Sequence, residues 1–350
     1  MPTISVFIPS YNRAAFIGET IDSVLAQIRQ ADEVFVVDDG SEDETAEVVK
    51  AYARFGVKFV SKEHSGTPET RNLGLAHSRC EYVVTVGSDD VMFPDCLESL
   101  CRAYDEVPGL DLYFGDLIAT AADLSPRKRI KYPRWQGRFE ALSSALGFTS
   151  QISDGFAMVN RVWVIARGAY SKDFPRCQDW DLWSRNDQPF TVMHTGDDLG
   201  YWRWHDDNLS ANRKSRFRIS FDQAIRERVR KSQTGEAHLK NLGWSSLREL
   251  SQKRPVAVWG AGEYGEAVRL MLEYAGVTVS GYLDSDESKW GTLYGDLEVH
   301  GPDQLEIEAV RPLVVIGSVY EQEIAETLDS MGYSESIDYF RPRGVEYRNL

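Results

Sequence analysis

The sequence predicts an α/β protein with two domains, each built on a mainly parallel sheet with helices on both faces. Short apolar runs alternate with stretches of helical spacing from the N-terminus to about residue 90. A new strand, glycine turn and helix begin near residue 254. The length of 350 residues exceeds what one ordinary hydrophobic core holds, so a domain boundary beyond the middle is expected.

The first domain is predicted over 1–218 from four strand-like runs joined by helical stretches. The runs are ISVFIPS at 4–10, EVFVVDD at 33–39, VKFVS at 57–61 and EYVVTV at 81–86. The stretch AAFIGETIDSVLA, 14–26, has apolar residues at helical spacing. Ser41 and Glu44 have capping-box spacing ahead of a second helix, and Thr67-Pro68 reads as the N-cap and first residue of a third.

A helical linker is predicted over 219–253, followed by a smaller domain over 254–350. An apolar stripe with a basic rim leads into and along this linker. The stripe consists of Phe217, Phe221, Ile225 and Val229. Docking against the first domain is the favoured interpretation, and peripheral contact with a membrane surface is the alternative.

Composition narrows the classes of partner and location. The net charge of −15 argues against nucleic acid, because such binding depends on neutralising phosphates with Lys and Arg. No apolar run approaches 18 residues and no N-terminal signal pattern is present, so a soluble cytoplasmic protein is expected. The four cysteines have no metal-binding spacing, which favours buried thiols in a reducing compartment. Composition does not indicate the oligomeric state.

Polar residues follow three of the predicted strands, at the edge where parallel sheets bind their ligands. They are Pro9 to Asn12 after the first strand, Asp38 to Ser41 after the second and Ser88 to Asp90 after the fourth. A divalent cation such as Mg²⁺ or Mn²⁺ on Asp90, with Asp89 beside it, would explain two adjacent carboxylates. The alternative is that both carboxylates are solvated and cap the next helix.

Three further residues suit a nucleotide at this edge. The Asp39 carboxylate would accept the imide N–H of uracil, and the Tyr11 ring would stack on the base. The Arg71 guanidinium would supply a fixed cation to the base or the diphosphate. Their structural alternatives are a turn residue, a half-buried aromatic and a helix-surface charge.

A second cluster, RCQDWDLWSRN at 176–186, places two carboxylates among bulky apolar side chains. Shielding raises a carboxyl pKa toward the range of a general base, and Asp179 is the candidate. Asp181 suits the first turn of a helix. Trp180 and Trp183 are candidates for contact with a sugar acceptor. His205 is a candidate metal ligand, although a lone histidine is more often structural.

The segments ISVFIPSYNR, EVFVVDDGSEDET, ETRNLG, SDDVMFPDCL and QDWDLW occur in an order that resembles the inverting family 2 nucleotide-sugar glycosyltransferases of the GT-A fold. The resemblance covers about residues 1–213. It implies Asp39 at the nucleobase, Asp89 and Asp90 as the DxD metal motif, and Asp179 as catalytic base. Many relatives have acids where this chain has Gly87 and Gln178, which predicts weaker metal binding and a smaller like-charge effect on Asp179.

The resemblance implies metal-dependent transfer of a sugar, with UDP-sugars favoured as donors, to a hydroxyl of a saccharide or lipid-linked glycan. Asp179 would take the proton as the acceptor oxygen attacks the anomeric carbon, inverting its configuration. A nucleotide-sugar-binding module with weak catalysis remains the alternative from another functional class.

The second domain begins with a glycine turn, Gly260, Gly262 and Gly265, between a strand and a helix, and Asp284 follows the next strand. This context is typical of Rossmann-like domains that bind a pyrophosphate at a helix N-terminus. An accessory domain, with or without a ligand, is favoured. The alternative is an NAD-dependent sugar-modifying enzyme centred here.

Overall fold

The structure is a computed structural model. It describes residues 1–132, 134, 136–139, 152–185, 190–205, 208, 224–229, 231, 234–307, 310–318, 320–341 and 346–349. The described residues group into two compact units, one drawn from 1–139, 152–223 and 347–350 and the other from 224–346. The predicted boundary at residue 218 falls outside the described residues, so the domain limits stay a prediction.

Strands occupy both units. They are β1 Ile4–Ser10, β2 Glu33–Asp38, β3 Lys58–Ser61, β4 Tyr82–Thr85, β5 Val91–Met92, β6 Leu112–Thr120, β7 Pro126–Lys131, β8 Gln136–Phe139, β9 Met158–Asn160, β10 Phe190–Arg203, β11 Val256–Trp259, β12 Gly281–Leu283, β13 Leu293–Tyr294, β14 Leu297–His300, β15 Leu313–Ile316, β16 Tyr339–Phe340 and β17 Glu346–Asn349.

The helices are mostly short. They are α1 Ile17–Leu25, α2 Thr45–Ala51, α3 Thr67–His77, α4 Cys96–Glu106, α5 Arg161–Ala166, α6 Gln178–Trp183, α7 Gly235–Asn241, α8 Leu247–Leu250, α9 Glu263–Tyr274, α10 Gln304–Ile307 and α11 Glu321–Ser330. Two 3₁₀ turns cover Ala53–Phe55 and Glu287–Lys289. No described helix is both long and apolar enough to span a membrane.

The sheet of the N-terminal unit is parallel where the candidate site lies. Its strand order is β17-β7-β6-β9-β4-β1-β2-β3, and β10 pairs with β5, β6 and β8. The strands β3, β2, β1 and β4 run parallel, whereas β9 is antiparallel to its neighbours β4 and β6. The predicted fold class is therefore confirmed for this unit, and the ends of β1, β2 and β4 lie along one edge.

Close packing of α3 on β1 depends on one glycine. A Cβ on Gly74 would lie 2.5 Å from the ring of Phe7, which is fully buried. The absent side chain lets the helix approach the sheet at this point, as tight interior packing requires. The approach fixes α3 over β1, next to the strand end that carries Tyr11.

Two predicted helix starts differ from the structure. Helix α2 begins at Thr45, and Ser41 does not cap it, because the Ser41 hydroxyl binds Asp38 and accepts the Asn12 N–H. Asp43 accepts the Thr45 N–H instead, at 3.0 Å. The N-cap of α3 is Gly66 and not Thr67, so that predicted start was wrong by one residue.

The C-terminal unit is a doubly wound sheet. Its order is β13-β14-β12-β11-β15-β16, and the strands from β14 to β16 pair in parallel. Counted along the chain, these five parallel strands follow the order 3-2-1-4-5, which reverses direction between β11 and β15. Separate apolar clusters cover the two faces, one including Val258 and Val315 and the other Trp259 and Ile316. The predicted second α/β domain is confirmed.

The apolar stripe before the second unit is only partly described. Ile225 and Val229 are fully buried, in a helical segment at 224–229. Phe217 and Phe221 lie outside the described residues. Membrane contact by this stripe stays a prediction.

Candidate functional site

Asp39, directly after β2, has a carboxylate that is almost fully engaged. Its two oxygens accept the backbone N–H groups of Ser65 at 3.0 Å and Gly66 at 2.9 Å. Lys62 forms an ion pair with one oxygen, and His64 Nδ1 lies 3.0 Å from the other. Burial opposes ionisation, but the hydrogen bonds from Lys62 and the two amides hold the pKa of Asp39 below its usual value. Asp39 is therefore a fixed anion that faces the start of α3.

Sequence reasoning missed Lys62 and His64, which read as ordinary turn residues after β3. In the structure, Tyr11 stacks on His64 with ring centroids 4.2 Å apart and planes at 29°. Tyr11 is 38% exposed, so one aromatic platform beside Asp39 is open to solvent. Flat surface next to a fixed acceptor is the arrangement that a planar base requires.

The turn that presents Tyr11 is held by side chains of the next strand end. Pro9 lies in β1, in register with Val37 of β2. Asn12 takes a left-handed conformation with φ of 51°, which asparagine adopts more readily than most residues. Its N–H donates to Ser41 at 2.8 Å, and its side-chain oxygen accepts from Glu42 at 2.9 Å. The ends of β1 and β2 therefore form one braced surface.

Asp90, after β4, is a buried carboxylate. Its Oδ1 accepts the backbone N–H of Arg203 at 3.0 Å, and Thr20 donates to its carbonyl at 2.8 Å. Burial and the neighbouring charge of Asp89 raise the pKa of Asp90 well above its usual value, although Arg203 opposes this. A group with a raised pKa stabilises the fold most when it is protonated, so ionised Asp90 needs added positive charge.

Asp89 already has two basic partners. His205 Nε2 lies 3.0 Å from Asp89 Oδ2, and Arg13 Nε lies 3.3 Å from the same oxygen. The ring of Phe16 stacks on His205 at 4.7 Å and lies under the guanidinium of Arg203. The structure thus brings His205 from the end of β10 to the predicted acidic pair, and it adds Arg13, which sequence reasoning had not singled out.

These groups match the chemistry of a hard divalent cation. Carboxylate oxygen and imidazole nitrogen both bind Mg²⁺ or Mn²⁺. His205 Nε2 and Asp89 Oδ2 lie 3.0 Å apart in a direct hydrogen bond, so a nitrogen and an oxygen of these two types already face each other. Among the residues that the structure describes, however, no group of three or more His, Cys, Asp or Glu side chains is arranged around one ion position.

Gly87 leaves room for Asp90. A Cβ at position 87 would lie 2.4 Å from Asp90 Oδ2 and 3.2 Å from Asp89 Oδ1. Any side chain at Gly87 would therefore displace the buried carboxylate. The resemblance implies an acid at this position, and the glycine found here instead leaves the space that the Asp90 carboxylate occupies.

Asp179 lies in the first turn of α6, after Cys177 in a left-handed conformation with φ of 56°. Burial and the charge of Asp154 raise the pKa of Asp179 to about 6, against the opposing effect of Arg71. The sequence predicted that apolar residues would shield Asp179. The structure adds the effect of a like charge, which is that of Asp154 and not of residue 178. Asp154 was missed, because SDGF reads as a plain turn.

Arg71 reaches toward this second cluster. Its Nη1 forms an ion pair with Asp154 Oδ2, and its guanidinium lies 5.1 Å from the centre of the Tyr170 ring. Arg71 was predicted to be a cation for the base or diphosphate. In this structure its charge is paired on the Asp179 side.

The two indoles predicted for acceptor contact lie in the interior. Trp180 is 5% exposed, and Trp183 is fully buried with its ring stacked 5.9 Å from that of Trp163. Neither ring offers an open face to a sugar here. Asp181 lies in the first turn of α6, as predicted, and forms an ion pair with Arg185.

The glycine turn of the second unit packs tightly. A Cβ on Gly265 would lie 1.8 Å from the carbonyl oxygen of Gly260, and one on Gly260 would lie 2.3 Å from that of Gly317. Gly262 has open space around its Cβ position. Asp284 accepts the Ala261 N–H at 2.8 Å and pairs with Lys289 at 2.8 Å. The predicted turn forms, and its acid is already partnered.

Comparison with known proteins bears on the first unit most directly. Residues 5–165 match the family model described as "Glycosyl transferase family 2". The N-terminal unit is a family 2 glycosyltransferase domain. Residues 252–337 match a second model, described as "C2185-like, N-terminal".

Solved structures support the GT-A fold. S. aureus TarS 1–349, crystallised with UDP-GlcNAc, superposes with a TM-score of 0.51 at 17% identity, covering 78% of this chain and 81% of that one. The same protein in complex with UDP also gives a TM-score of 0.51, at 17% identity over 72% of this chain and 75% of that one. At this identity the likeness shows the fold of the glycosyltransferase domain.

Curated relatives share shorter regions. An uncharacterised glycosyltransferase of Rickettsia prowazekii is 32% identical over 111 residues, which are 32% of this chain and 35% of the relative. Chondroitin synthase of Pasteurella multocida is 23% identical over 286 residues, 78% of this chain and 27% of the relative. The chain therefore spans about a third or less of the length of these relatives.

Proposed function

We propose that the glycosyltransferase domain transfers a sugar from a nucleotide-sugar to a hydroxyl of a saccharide or lipid-linked glycan, with inversion at the anomeric carbon. The observation that carries the proposal is the gathering of Asp39, Asp89 and Asp90 at the carboxyl edge of a sheet in a domain of this family. UDP is the favoured nucleotide, since TarS, of the same fold, was crystallised with UDP-GlcNAc.

At the donor end, Asp39 accepts the imide N–H of the base and Tyr11 covers the ring. Amides and Lys62 keep Asp39 ionised, which suits an acceptor role. Pro9 and Asn12 hold Tyr11 in place. Arg13, beside Asp89, adds fixed positive charge where the diphosphate leaves.

Asp90 and His205, with Asp89 beside them, would supply the protein ligands of Mg²⁺ or Mn²⁺, and the donor diphosphate would supply further oxygens, since such ions usually bind through one or two carboxylates and substrate phosphates. The buried Asp90, with its raised pKa, and the adjacent Asp89 form a pair whose full ionisation calls for more positive charge than Arg13 supplies. When bound, the ion supplies Lewis-acid stabilisation of the diphosphate leaving group.

At the acceptor end, Asp179 removes the proton of the attacking hydroxyl. Its pKa of about 6 keeps it ionised at neutral pH while leaving it a stronger base than an exposed aspartate. The acceptor oxygen attacks from the face opposite the diphosphate. The mechanism therefore needs no covalent intermediate on the protein. We further propose a cytoplasmic setting, with membrane contact as an addition for a lipid-linked acceptor.

A panel of UDP-, dTDP-, GDP- and CDP-sugars with and without Mn²⁺ tests the proposal by thermal shift and by release of nucleoside diphosphate. A ligand at 100 times its Kd stabilises the native state by about 2.7 kcal/mol. We expect one nucleotide to give a shift that Mn²⁺ increases, together with turnover. Asp39→Asn should reduce the shift, while Asp123→Asn, in an exposed turn of the same unit, should not.

Other outcomes favour other functions. Binding without turnover would indicate a nucleotide-sugar-binding module. A shift with NAD⁺ alone would favour an oxidoreductase centred on the C-terminal unit. The absence of any shift and any turnover would contradict the proposal.

A further inference from the structure

A largely buried ion pair acts electrostatically on the candidate base and has no part in the donor site as described above. Arg71 is carried by α3, and Asp154 by the segment between Ile152 and β9. The side chains of Arg71 and Asp154 are 13% and 12% exposed, and the two charges are in direct contact. A largely buried pair of this kind is costly to assemble and is weak evidence of stability, which favours a role in function.

The pair is held rigidly. Asn72, the next residue of α3, donates its side-chain N–H to the carbonyl of Tyr170 at 2.8 Å and accepts the Tyr170 N–H at 2.9 Å. This reciprocal contact fixes the Tyr170 ring under the guanidinium of Arg71. Helix α3 thereby determines where both Arg71 and Tyr170 lie.

Asp179 completes the cluster. The charged groups that act on it from neighbouring elements are Asp154 and Arg71, and Tyr170 also interacts with it. From its own helix, the backbone N–H groups of Trp180 and Asp179 stabilise the ionised form. The Arg71 guanidinium is thus in contact with Asp154 and also acts electrostatically on Asp179.

We propose that Asp154 is a positioning residue for transfer, because its ion pair with Arg71 sets how much of the Arg71 charge reaches the base Asp179. This inference rests on the proposed function only for the identity of the base. It also assigns Arg71 to the acceptor side of the site. Without Asp154, Arg71 would act on Asp179 alone, and without Arg71, Asp154 would repel it.

Single substitutions of Asp154 and Arg71 should therefore shift the pKa of Asp179 in opposite directions. Asp154→Asn should lower its pKa from about 6 by about one unit, and Arg71→Met should raise it by a similar amount. The double substitution removes both charges, so the pKa should stay near that of the unaltered protein. It also avoids an unpaired buried charge and keeps the test available if a single variant does not fold.

The measurement is a titration of the Asp179 carboxyl by ¹³C NMR on the full chain, with the resonance assigned by its loss in Asp179→Asn. Asp181→Asn is the matched control, since it removes a carboxylate of the same helix that is already paired with Arg185. The acid side of the pH profile of kcat/KM for UDP release from UDP-GlcNAc should shift with the Asp179 pKa measured by NMR. This follows because kcat/KM reports the pKa of the base in the free enzyme.

Opposite shifts in the two single variants, with little change in the double variant and in Asp181→Asn, support the proposal. Shifts in one common direction, or none, overturn it. A tenfold loss of UDP affinity in Arg71→Met with no change in Asp179 titration also overturns it and returns Arg71 to the nucleotide. If the NMR shifts occur but no variant and no unaltered protein turns over a donor, the charge coupling stands and the proposed function fails.

Discussion

Asp39 in the first unit and Asp284 in the second occupy equivalent places in two parallel sheets. Each follows the strand beside the first strand of its sheet, β2 or β12. Each carboxylate accepts two backbone N–H groups, Ser65 and Gly66 for one, Ala261 and Asp286 for the other. Each also pairs with one lysine, Lys62 or Lys289.

The units differ in what surrounds that acid. In the first unit, burial raises the pKa of Asp90 and Asp179. Among the described residues of the second unit, the carboxyl groups whose pKa departs clearly from its usual value are Glu266 and Asp286. Both pKa values are lowered. Carboxylates that resist ionisation gather at functional sites, so the comparison places the chemistry in the first unit. A partnered acid after a strand is by itself a structural motif.

The largest expected effect is at the base. Asp179→Asn should reduce transfer by about 10²- to 10⁴-fold, because proton removal by a positioned group contributes about that much. Donor affinity should stay nearly unchanged, since Asp179 lies with Asp154 and Arg71 and not with Asp39. Turnover and UDP-sugar binding measured on one preparation check both statements. Equal losses of turnover and affinity would assign Asp179 to binding.

The second effect concerns stability of the C-terminal unit. Gly265→Ala should lower the free energy of unfolding by about 2 kcal/mol or more, because the added carbon overlaps the Gly260 carbonyl in a tight packing site. Gly262→Ala is the matched control in the same turn, with no heavy atom within 4 Å of its Cβ position. Denaturant unfolding of both variants measures the difference. Equal losses would mean that the tight packing contributes little.

The smallest effect compares the two lysines. Lys62→Met should weaken UDP binding about tenfold, because Lys62 holds the carboxylate of Asp39, whose side chain is 5% exposed. Lys289→Met should leave UDP binding unchanged and alter stability by less than about 0.5 kcal/mol, since Lys289 is 40% exposed. Calorimetric titration with UDP separates the variants. Similar affinities in both would remove Lys62 from the donor site.

Hydrophobic patterning predicted much of the fold. The run ISVFIPS coincides with β1, and the strands with polar ends lie at one edge as the α/β alternation predicts. Helix starts were less predictable, because capping depends on contacts from distant segments. Ser41 has the right spacing for a cap, but Asp38 and Asn12 take its hydroxyl.

The acceptor side of the site was harder to predict than the donor side. Asp39 and Asp89 follow strands, and their shared edge can be inferred from chain order alone. Asp154 is 83 positions from Arg71, and no local pattern relates the two residues. Lys62 and His64 were missed for a similar reason, since their importance comes from a carboxylate more than 20 positions earlier.

The lack of a side chain at Gly87 constrains how this chain can change by mutation. The volume that a side chain would need is filled by Asp90 Oδ2. A single substitution that introduced an acid there would therefore displace one carboxylate as it added another. A third acid at this position is therefore compatible with the fold only if Asp90 moves outward, which ties the glycine to the inward position of the aspartate.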